Sequence, residues 1–453
     1  MKMKALLIGI LCLVFVFGAV ACSNNTANEP APANNTKAVE KEPAPAAEEP
    51  KKEELEEVEI RFTWWGDTKR HEKYNAIVDE FEKAYPHITV AREFGEWVDY
   101  WDKLATQSAG GNAPDVVGMH MTQVANYASR GALVDLQPYV DSGVLDQSDF
   151  PKPVTNSGVI DGKLVMIAQG VTMSGWVYNS GLLERLKVEP PSFGWTWDEF
   201  AAKAKEVTTA FNEKGHWGAT DMGGDVTSLI YYSRGLGKNL FTEEGKLGID
   251  QQDMVNWLTI WDNLRKEGSV PDAATTSEYR TAPLEQNLFI SGKVAFHALP
   301  FNQIPNYQNY IKDGEVRALR KQVNPDGKNG EFIEGAYLAV TSGSKNPEAA
   351  AQFINFFVNN ENAIRIFQLE QGAVGSTKMN ELVKTLINPA QQRAVGAIEE
   401  TLAFAETAPL PPKGQGEVAT ALLAANESVG FGQSSVEAAA AEFVKAAEAI
   451  LAK

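Results

Sequence analysis

The amino-acid sequence predicts an α/β protein, because strand-like stretches that alternate apolar and polar residues are followed in turn by stretches with helical periodicity. Val58 to Trp64 alternate as a β-strand, and after His71 apolar residues recur every three to four positions, as in an amphipathic helix. Two further strand patterns, at 88–92 and 115–119, are separated by a helical pattern at 97–108. Strand, helix, strand, helix, strand is the element order of an α/β domain.

The first predicted strand ends in a segment with the residue types of a ligand site. Trp64 and Trp65 are followed by a glycine and then by Asp67, Arg70 and His71. Open α/β sheets bind ligands at the carboxyl ends of their strands. Indole rings suit the apolar C–H face of a sugar, and charged groups suit its hydroxyls. Trp64 is in phase with the apolar face of the strand, so core packing explains it equally well, whereas Trp65 points the other way and is the better candidate.

The composition excludes several classes of partner. The chain has 453 residues, of which 44% are hydrophobic, enough for large cores in two or three domains. Its formal net charge is −18, and neither nucleic acid nor anionic lipid is attracted to an acidic surface. We therefore expect no nucleic-acid partner, although a local basic pocket would still be compatible with an acidic sugar.

The amino terminus has the three parts of an export signal. Lysines at the start precede a short apolar run, and small residues come directly before Cys22. A retained transmembrane anchor is the alternative, but the apolar run is short for a bilayer span. The sequence Ala-Val-Ala-Cys resembles a bacterial lipobox, which implies a signal peptide at 1–21 and a diacylglycerol anchor on Cys22. We expect this anchor to hold the protein at the extracellular face of the cell membrane.

The segment that follows, 22–57, reads as a tether. It is rich in Asn, Ala, Pro, Glu and Lys, so it cannot bury enough apolar surface to fold. A flexible chain of this length reaches about 30 Å. Of the two cysteines, Cys12 would leave with the signal peptide and Cys22 would carry the lipid. The folded part then has no thiol, which excludes cysteine catalysis and cysteine metal sites.

Motifs for other chemistry are absent from the sequence. It contains no G-x-x-x-x-G-K-[ST] phosphate loop, no H-E-x-x-H and no G-x-S-x-G. The five histidines are far apart, so we expect no metal site, and no motif indicates a cofactor. Carboxylate pairs such as Glu93 with Glu96 arise by chance among 59 acidic residues, and a glycosidase pair is defined only by its separation in space.

Other aromatic residues are predicted to pack in the core. Trp101, Trp257 and Trp261 occur at the spacing of buried helix faces. Within the helix at 97–108, we expect Leu104 and Ala105 to point inward with Trp101.

Three helix starts have capping signals. Thr196 with Glu199 forms the pattern of a capping box, and Ser434 with Glu437 repeats it before the last helix. Asn346 precedes a proline, which suits the first helical position. We assign these residues a structural role.

Several longer stretches resemble one family when they are taken in order. They are FTWWGDTKRHEKYNAIVDEFEKAYPHITV, EWVDYWDKLATQSAGGNAPDVV, GWTWDEFAAKAKEVT, ISGKVAFHALPF and NPEAAAQFINFFVNNENAIRI. Their order and spacing resemble the extracellular solute-binding proteins of ABC importers, in particular the oligosaccharide-binding group that includes maltose-binding protein. The resemblance covers nearly everything from Val58 onward.

The resemblance implies a two-lobed periplasmic-binding-protein-like fold of type II, with several chain crossings at a hinge and a ligand cleft between the lobes. It places lobe 1 at 58–168 and 300–333, and lobe 2 at 169–299 and 334–453. Carried over residue by residue, with the first-strand segment included, it implies ligand contacts from Trp64, Trp65, Asp67, Arg70, His71, Glu93, Glu96, Trp97, Tyr100, Met119, His120, Gln123, Thr172, Trp176, Phe301, Asn302, Glu334, Tyr337 and Gln371.

The implied function is capture of a sugar, expected to be an oligosaccharide, by a monomeric lipoprotein that delivers it to an ABC permease. Two alternatives remain at this level. A secreted carbohydrate-active enzyme, hydrolase or lyase, would need a positioned acid and base. A surface carbohydrate receptor would bind sugar without a role in transport.

Overall fold

The computed structural model describes residues 56–280, 282–324 and 330–453. The predicted signal peptide, Cys22 and nearly all of the predicted tether lie outside the described residues. Mixed α/β secondary structure extends over the described part of the chain, in agreement with the alternating strand and helix patterns of the sequence.

The strands are short. In chain order they are β1 (Val58–Trp65), β2 (Ile88–Gly95), β3 (Val116–His120), β4 (Val159–Ile160), β5 (Lys163–Leu164), β6 (Ile167–Thr172), β7 (Ser174–Asn179), β8 (Trp217–Ala219), β9 (Val294–Pro300), β10 (Val316–Leu319) and β11 (Glu334–Val340).

Helices connect and cover the strands. They are α1 (Thr68–Ala84), α2 (Trp97–Ala109), α3 (Met121–Ala128), α4 (Gln137–Asp141), α5 (Lys152–Ser157), α6 (Ser180–Leu186), α7 (Trp197–Phe211), α8 (Val226–Gly235), α9 (Gln251–Lys266), α10 (Ala273–Arg280), α11 (Ile304–Gln308), α12 (Pro347–Asn359), α13 (Glu361–Phe367), α14 (Thr377–Lys384), α15 (Pro389–Leu402), α16 (Gln415–Gly430) and α17 (Val436–Leu451), with 3₁₀ turns at Leu284–Gln286 and Phe301–Gln303.

The first sheet has five strands in the order β2-β1-β3-β11-β6. Strand β1 is parallel to both β2 and β3, and β11 is antiparallel to β3 and β6. The carboxyl ends of β1, β2, β3 and β6 therefore meet the amino end of β11 at one edge. Within this edge, His120 is paired with Ala336 and Thr172 with Glu334.

The second sheet has four strands in the order β10-β7-β9-β8. Strand β7 is antiparallel to β10 and β9, and β8 is parallel to β9. Only Met173 separates the last residue of β6 from the first residue of β7, so the chain passes from one sheet to the other there. It returns between β10 and β11.

Two apolar cores enclose the sheets. In the first, Phe62 of β1 packs against Phe353 of α12, with ring centroids 4.9 Å apart. The second contains Phe200 of α7 with Trp257 and Trp261 of α9, in agreement with the predicted packing role of the two tryptophans. Helices α16 and α17 also pack into the second core, so the chain crosses a third time between α15 and α16.

The division of strands differs from the expected one. The segment 300–333 was assigned to lobe 1, but β10 pairs with β7 in the second sheet. The segment 334–453 was assigned to lobe 2, but β11 lies inside the first sheet, between β3 and β6. The reason is that β11 is buried at every position after Glu334, and the parallel part of the first sheet offers it a neighbour that is buried on both faces.

The capping predictions are confirmed in part. Thr196 and Glu199 form the expected capping box at α7. Asn346 occupies the cap position of α12, but its side chain makes no cap hydrogen bond and donates to the carbonyl of Glu59 instead. At α17 the cap is Ser435 rather than Ser434, because the hydroxyl of Ser435 accepts the N–H of Ala438. In α2, the prediction for Ala105 was wrong, since this residue is exposed while Trp101 and Leu104 are buried.

Candidate functional site

Aromatic side chains gather where β1 and β3 end and α2 begins. This aromatic cluster consists of Trp65, Trp97, Tyr100, Trp101 and His120. The Trp65 ring centroid lies 5.1 Å from that of Trp97 and 5.6 Å from that of Trp101, and the Trp97 and His120 rings meet edge to face at 5.3 Å. Trp97 is 39% exposed, whereas Trp65 is 6% exposed. Trp97 is therefore the ring of this cluster that presents a face to solvent.

A second aromatic contact borders the same edge of the sheet. The indole Nε1 of Trp64 donates to Nδ1 of His71 at 3.1 Å, and the His71 ring lies 4.3 Å from that of Phe94. Burial lowers the pKa of His71. Because Nδ1 accepts a hydrogen bond from Trp64, the neutral His71 ring carries its hydrogen on Nε2. Phe94 is 47% exposed, so this pair also offers an aromatic surface.

A cavity of about 360 Å³ lies where the two sheets meet. We call it the hinge cavity. It is lined from the first sheet by the ends of β3 and β6 and the start of β11, and from the second by the end of β9 and by α8. Five of the sequence-predicted ligand residues line it, and they are His120, Thr172, Asn302, Glu334 and Gln371.

Glu334 is the carboxylate of the hinge cavity. Its Oε1 accepts the backbone N–H of Ser174 at 3.1 Å and the hydroxyl of Tyr231 at 3.5 Å. Burial raises the pKa of Glu334. Nearby, Lys321 is buried and donates from Nζ to Ser228 Oγ at 2.9 Å, and burial lowers the pKa of Lys321 to about 8. Glu334 thus links β11 to β7, the first strand after the crossing.

A larger cavity of about 560 Å³ opens beyond the end of β8. We call it the β8 cavity. It is lined by Asp225 and the first residue of α8, by α10 with Tyr279, by Tyr307 of α11 and by α16. Asp225 and Val226 line this cavity while Thr227 and Ile230 line the hinge cavity, so the two cavities lie on either side of the start of α8.

His297 gives the β8 cavity a neutral polar wall. Its Nε2 is 3.1 Å from the Tyr307 hydroxyl, and its Nδ1 is 3.2 Å from Oγ1 of Thr220. Burial first, and the charge of Lys321 second, lower the pKa of His297 to about 3. The imidazole is therefore uncharged at physiological pH and acts as a hydrogen-bonding group.

Some predicted ligand residues are held by other side chains. The carboxylate of Glu93 accepts from Arg61 at 2.5 Å and from Lys103 at 2.7 Å. Arg70 bonds Glu370 at 3.1 Å. Asp67 caps α1 by accepting the backbone N–H of Arg70, and this bond lowers the pKa of Asp67. These interactions support the edge of the first sheet.

Other predicted ligand residues are in the core. Met119, Trp176, Phe301 and Tyr337 are at most 1% exposed and do not line either of the two cavities, so the structure contradicts their expected position in the cleft. Trp176 lies three residues after the crossing at Met173, within β7, and both faces of this strand are covered. Of the rest, Tyr100 is buried with its hydroxyl on the carbonyl of Gly118, Glu96 is exposed, and Gln123 is partly buried.

The residues of the β8 cavity and the exposed ring of Phe94 are not among those predicted from the sequence. Asp225 has a recognisable signal, because aspartate is a preferred cap residue at a helix start, and its Oδ1 does accept the N–H of Ser228 at 2.7 Å. His297 and Tyr307 have no such signal, because a strand and a separate helix bring them together.

Within residues 56–280, 282–324 and 330–453, no group of three or more His, Cys, Asp or Glu side chains is arranged to hold a metal ion. In the same residues, no helix has the length and apolar character needed to cross a bilayer.

Two mixed α/β lobes joined by three chain segments, with the hinge cavity at their junction, define a two-lobed ligand-binding fold. The family of bacterial extracellular solute-binding proteins matches residues 65–364, which is more than half of the chain. The protein belongs to this family.

Two relatives support this assignment in sequence. An uncharacterized lipoprotein from the oleD 5′ region of Streptomyces antibioticus is 24% identical over 335 residues, covering 70% of this chain and 69% of the relative. The putative ABC transporter periplasmic-binding protein YcjN of Escherichia coli is 22% identical over 335 residues, covering 68% of this chain and 73% of the relative.

Two solved structures show the same fold. A family 1 extracellular solute-binding protein from Alicyclobacillus acidocaldarius superposes with a TM-score of 0.78 at 27% identity, covering 88% of this chain and 100% of its own. A periplasmic oligogalacturonide-binding protein from Yersinia enterocolitica has a TM-score of 0.76 at 21% identity, covering 87% of this chain and 99% of its own.

Proposed function

We propose that this solute-binding protein captures an oligosaccharide at the extracellular face of the membrane and delivers it to an ABC import permease. The observation that carries the proposal is the hinge cavity. Its lining combines neutral hydrogen-bonding groups from both sheets, among them Thr172, Asn302 and Gln371, with His120 of the aromatic cluster. Polar groups that converge beside aromatic rings suit a sugar ring, which has hydroxyl groups around its edge and apolar faces.

The two cavities together would accommodate a chain of sugar units. They lie on either side of the start of α8, and each has the size of sites that bind small molecules. Trp97 and Phe94, exposed at the edge of the first sheet, would extend the site with stacking surfaces. The ligand-contact residues in this proposal are those that line the cavities and these two rings.

Closure would accompany binding. Three segments join the two sheets, and they are Met173, the chain between β10 and β11, and the chain between α15 and α16. Rotation about them would bring the ends of β3 and β6 toward α8, both of which already line the hinge cavity. A permease would then recognise the closed form.

The proposed anchor is the lipid on Cys22. The lipobox-like sequence before this residue supports the anchor, and a lipoprotein is among the relatives. The ABC transporter assignment of another relative supports the permease as partner. The oligogalacturonide-binding neighbour supports an oligosaccharide as the class of ligand.

A thermal-shift screen tests the proposal. The mature protein is heated with disaccharides to pentasaccharides of glucose, xylose, arabinose, galactose and galacturonate. At a concentration 100 times its Kd, a ligand stabilises the folded state by about 2.7 kcal/mol, so at least one oligosaccharide should raise the melting temperature. Chromatography of the same mixtures should show no cleavage. If oligosaccharides bind but are cleaved, the protein is an enzyme, and if none binds, the proposed ligand class is wrong.

A further inference from the structure

The charged groups that line the two cavities are not arranged to bind an anion. In the described residues, the linings contain two cationic side chains, Arg234 and Arg280, against four acidic ones, Asp221, Asp225, Glu334 and Glu427. The two histidines of the linings carry no positive charge at physiological pH, because burial lowers the pKa of His120 to about 4 and that of His297 to about 3.

Arg234 already donates four hydrogen bonds to protein acceptors, out of the five that its guanidinium can donate. Its guanidinium donates to the carbonyl oxygens of Gly330, Glu406 and Thr407 at 3.1 to 3.3 Å, and to Oδ1 of Asn239 at 2.9 Å. The residue is 8% exposed. A ligand carboxylate would have to displace these bonds, so Arg234 serves as a brace between α8 and the crossing segments rather than as an anion receptor.

Arg280 is held by one carboxylate. Its Nη1 is 2.7 Å from Oε1 of Glu427 on α16, and the side chains are 40% and 30% exposed. The Arg280–Glu427 pair as a whole has no net charge, so its attraction for a ligand anion is weaker than that of an unpaired arginine. The neighbouring Asp225 adds a further negative charge to the same cavity, and like charges at close range oppose binding.

We infer that the ligand is an uncharged oligosaccharide, and that Glu427 is a specificity-determining residue that excludes uronates by pairing with Arg280. This inference rests on the proposed function and names its substrate class. Carboxylates that repel a uronate are acceptors for the hydroxyl groups of a neutral sugar. The carboxylates that line the cavities therefore disfavour uronates and favour neutral sugars.

The first test compares charged and uncharged sugars on the wild-type protein. Trigalacturonate, its methyl ester, galactotriose, maltotriose, cellotriose and xylotriose are titrated by calorimetry. We expect tight, saturable binding among the uncharged sugars and only weak binding of trigalacturonate. For the best ligand, Kd should change less than about threefold between about 0.01 and 1 M NaCl, a range in which the Debye length falls from about 30 to about 3 Å.

The second test uses a matched pair of variants. Glu427→Gln leaves Arg280 without its carboxylate and should lower the Kd for trigalacturonate by at least about tenfold. Glu417→Gln makes the same charge change on the same helix, at a side chain that is 63% exposed and lines neither cavity, and should leave that Kd within about twofold.

Each outcome has one meaning. Tight, salt-sensitive binding of trigalacturonate by the wild type would overturn the inference and leave oligosaccharide capture intact. An unchanged Kd in Glu427→Gln would overturn the role of Glu427. If no sugar of either class binds, the proposed function fails and the inference fails with it.

Discussion

Gly118 lies directly against the ring of Trp65. A Cβ atom added to Gly118 would lie 2.9 Å from Cζ3 of the indole, closer than real side chains approach. The ring of Trp65 therefore fills the space above β3 and is part of the packing of the first sheet. Trp97, which contacts Trp65 from α2, is the member of the cluster that has an open face.

Substitutions of these two tryptophans should have opposite effects. Trp65→Ala would leave a large cavity under the aromatic cluster and should lower the free energy of unfolding by about 3–5 kcal/mol. Trp97→Ala should change that free energy less and should weaken oligosaccharide binding by about 1–3 kcal/mol, the size of a stacking contact. Urea unfolding and calorimetric titration measure the two effects. Phe431→Ala, at a ring that is 48% exposed and lines neither cavity, is the control and should leave binding unchanged.

A buried ion pair beneath the β8 cavity should be sensitive to loss of one partner. Nη1 of Arg265 is 3.2 Å from Oδ2 of Asp221, and the side chains are 6% and 1% exposed. Arg265→Met would leave the Asp221 carboxylate buried without its cation, so we expect a loss of about 3–5 kcal/mol in urea unfolding. Lys266→Met, next in the chain, removes an exposed cation and should cost less than about 1 kcal/mol. Equal losses of unfolding free energy in the two variants would contradict a stabilising role for the Arg265–Asp221 pair.

Stability should fall in mild acid because of His297. Its pKa is about 3 in the folded protein and about 6.5 when unfolded, so between these values the unfolded chain binds more protons. The stability contributed by the neutral ring is therefore present above pH 6.5 and is lost as the pH falls. Between pH 7 and pH 5 this loss is about 2 kcal/mol. His297→Gln should lower the starting stability but remove about 2 kcal/mol of that pH dependence, which denaturant titrations at both pH values would reveal. A variant with the pH dependence of the wild type would contradict the neutral buried ring.

Substitution of each of the two cysteines tests the proposed lipid anchor. Cys22→Ala should abolish labelling with a radioactive fatty acid and release the protein from the membrane fraction, because each buried CH₂ of the lipid contributes about 0.8 kcal/mol. Ligand affinity should be unchanged. Cys12→Ala, within the predicted signal peptide, is the matched control and should remain in the membrane. Retention of the Cys22 variant would argue for an uncleaved transmembrane segment.

Ligand binding should make the protein more compact. Small-angle scattering with and without a saturating oligosaccharide should show a smaller radius of gyration in the bound form, because the joining segments at Met173 and before β11 allow the sheets to approach. Scattering curves that coincide at proven saturation would argue against hinge closure on binding.

Local sequence determined much of this protein. The alternation at Val58 to Trp64, the helical period after it and the capping box of Thr196 with Glu199 each depend on neighbours a few residues apart, and the structure contains the element that each predicts. The resemblance to the solute-binding family, rather than a local pattern, implied ligand contacts from His120 and Glu334, and both line the hinge cavity. His120 ends β3 and Glu334 begins the antiparallel strand β11, which is why the two lie at the same edge of the first sheet.

Tertiary structure alone decided which of these side chains face open space. Trp65 has the phase of an outward residue in β1, but helices cover both faces of the first sheet, so alternation no longer separates buried from exposed positions there. The placement of β11 between β3 and β6, and the meeting of His297 with Tyr307, depend on contacts between distant parts of the chain. No local pattern encodes such contacts, because the free energy that selects them comes from burying whole elements against one another.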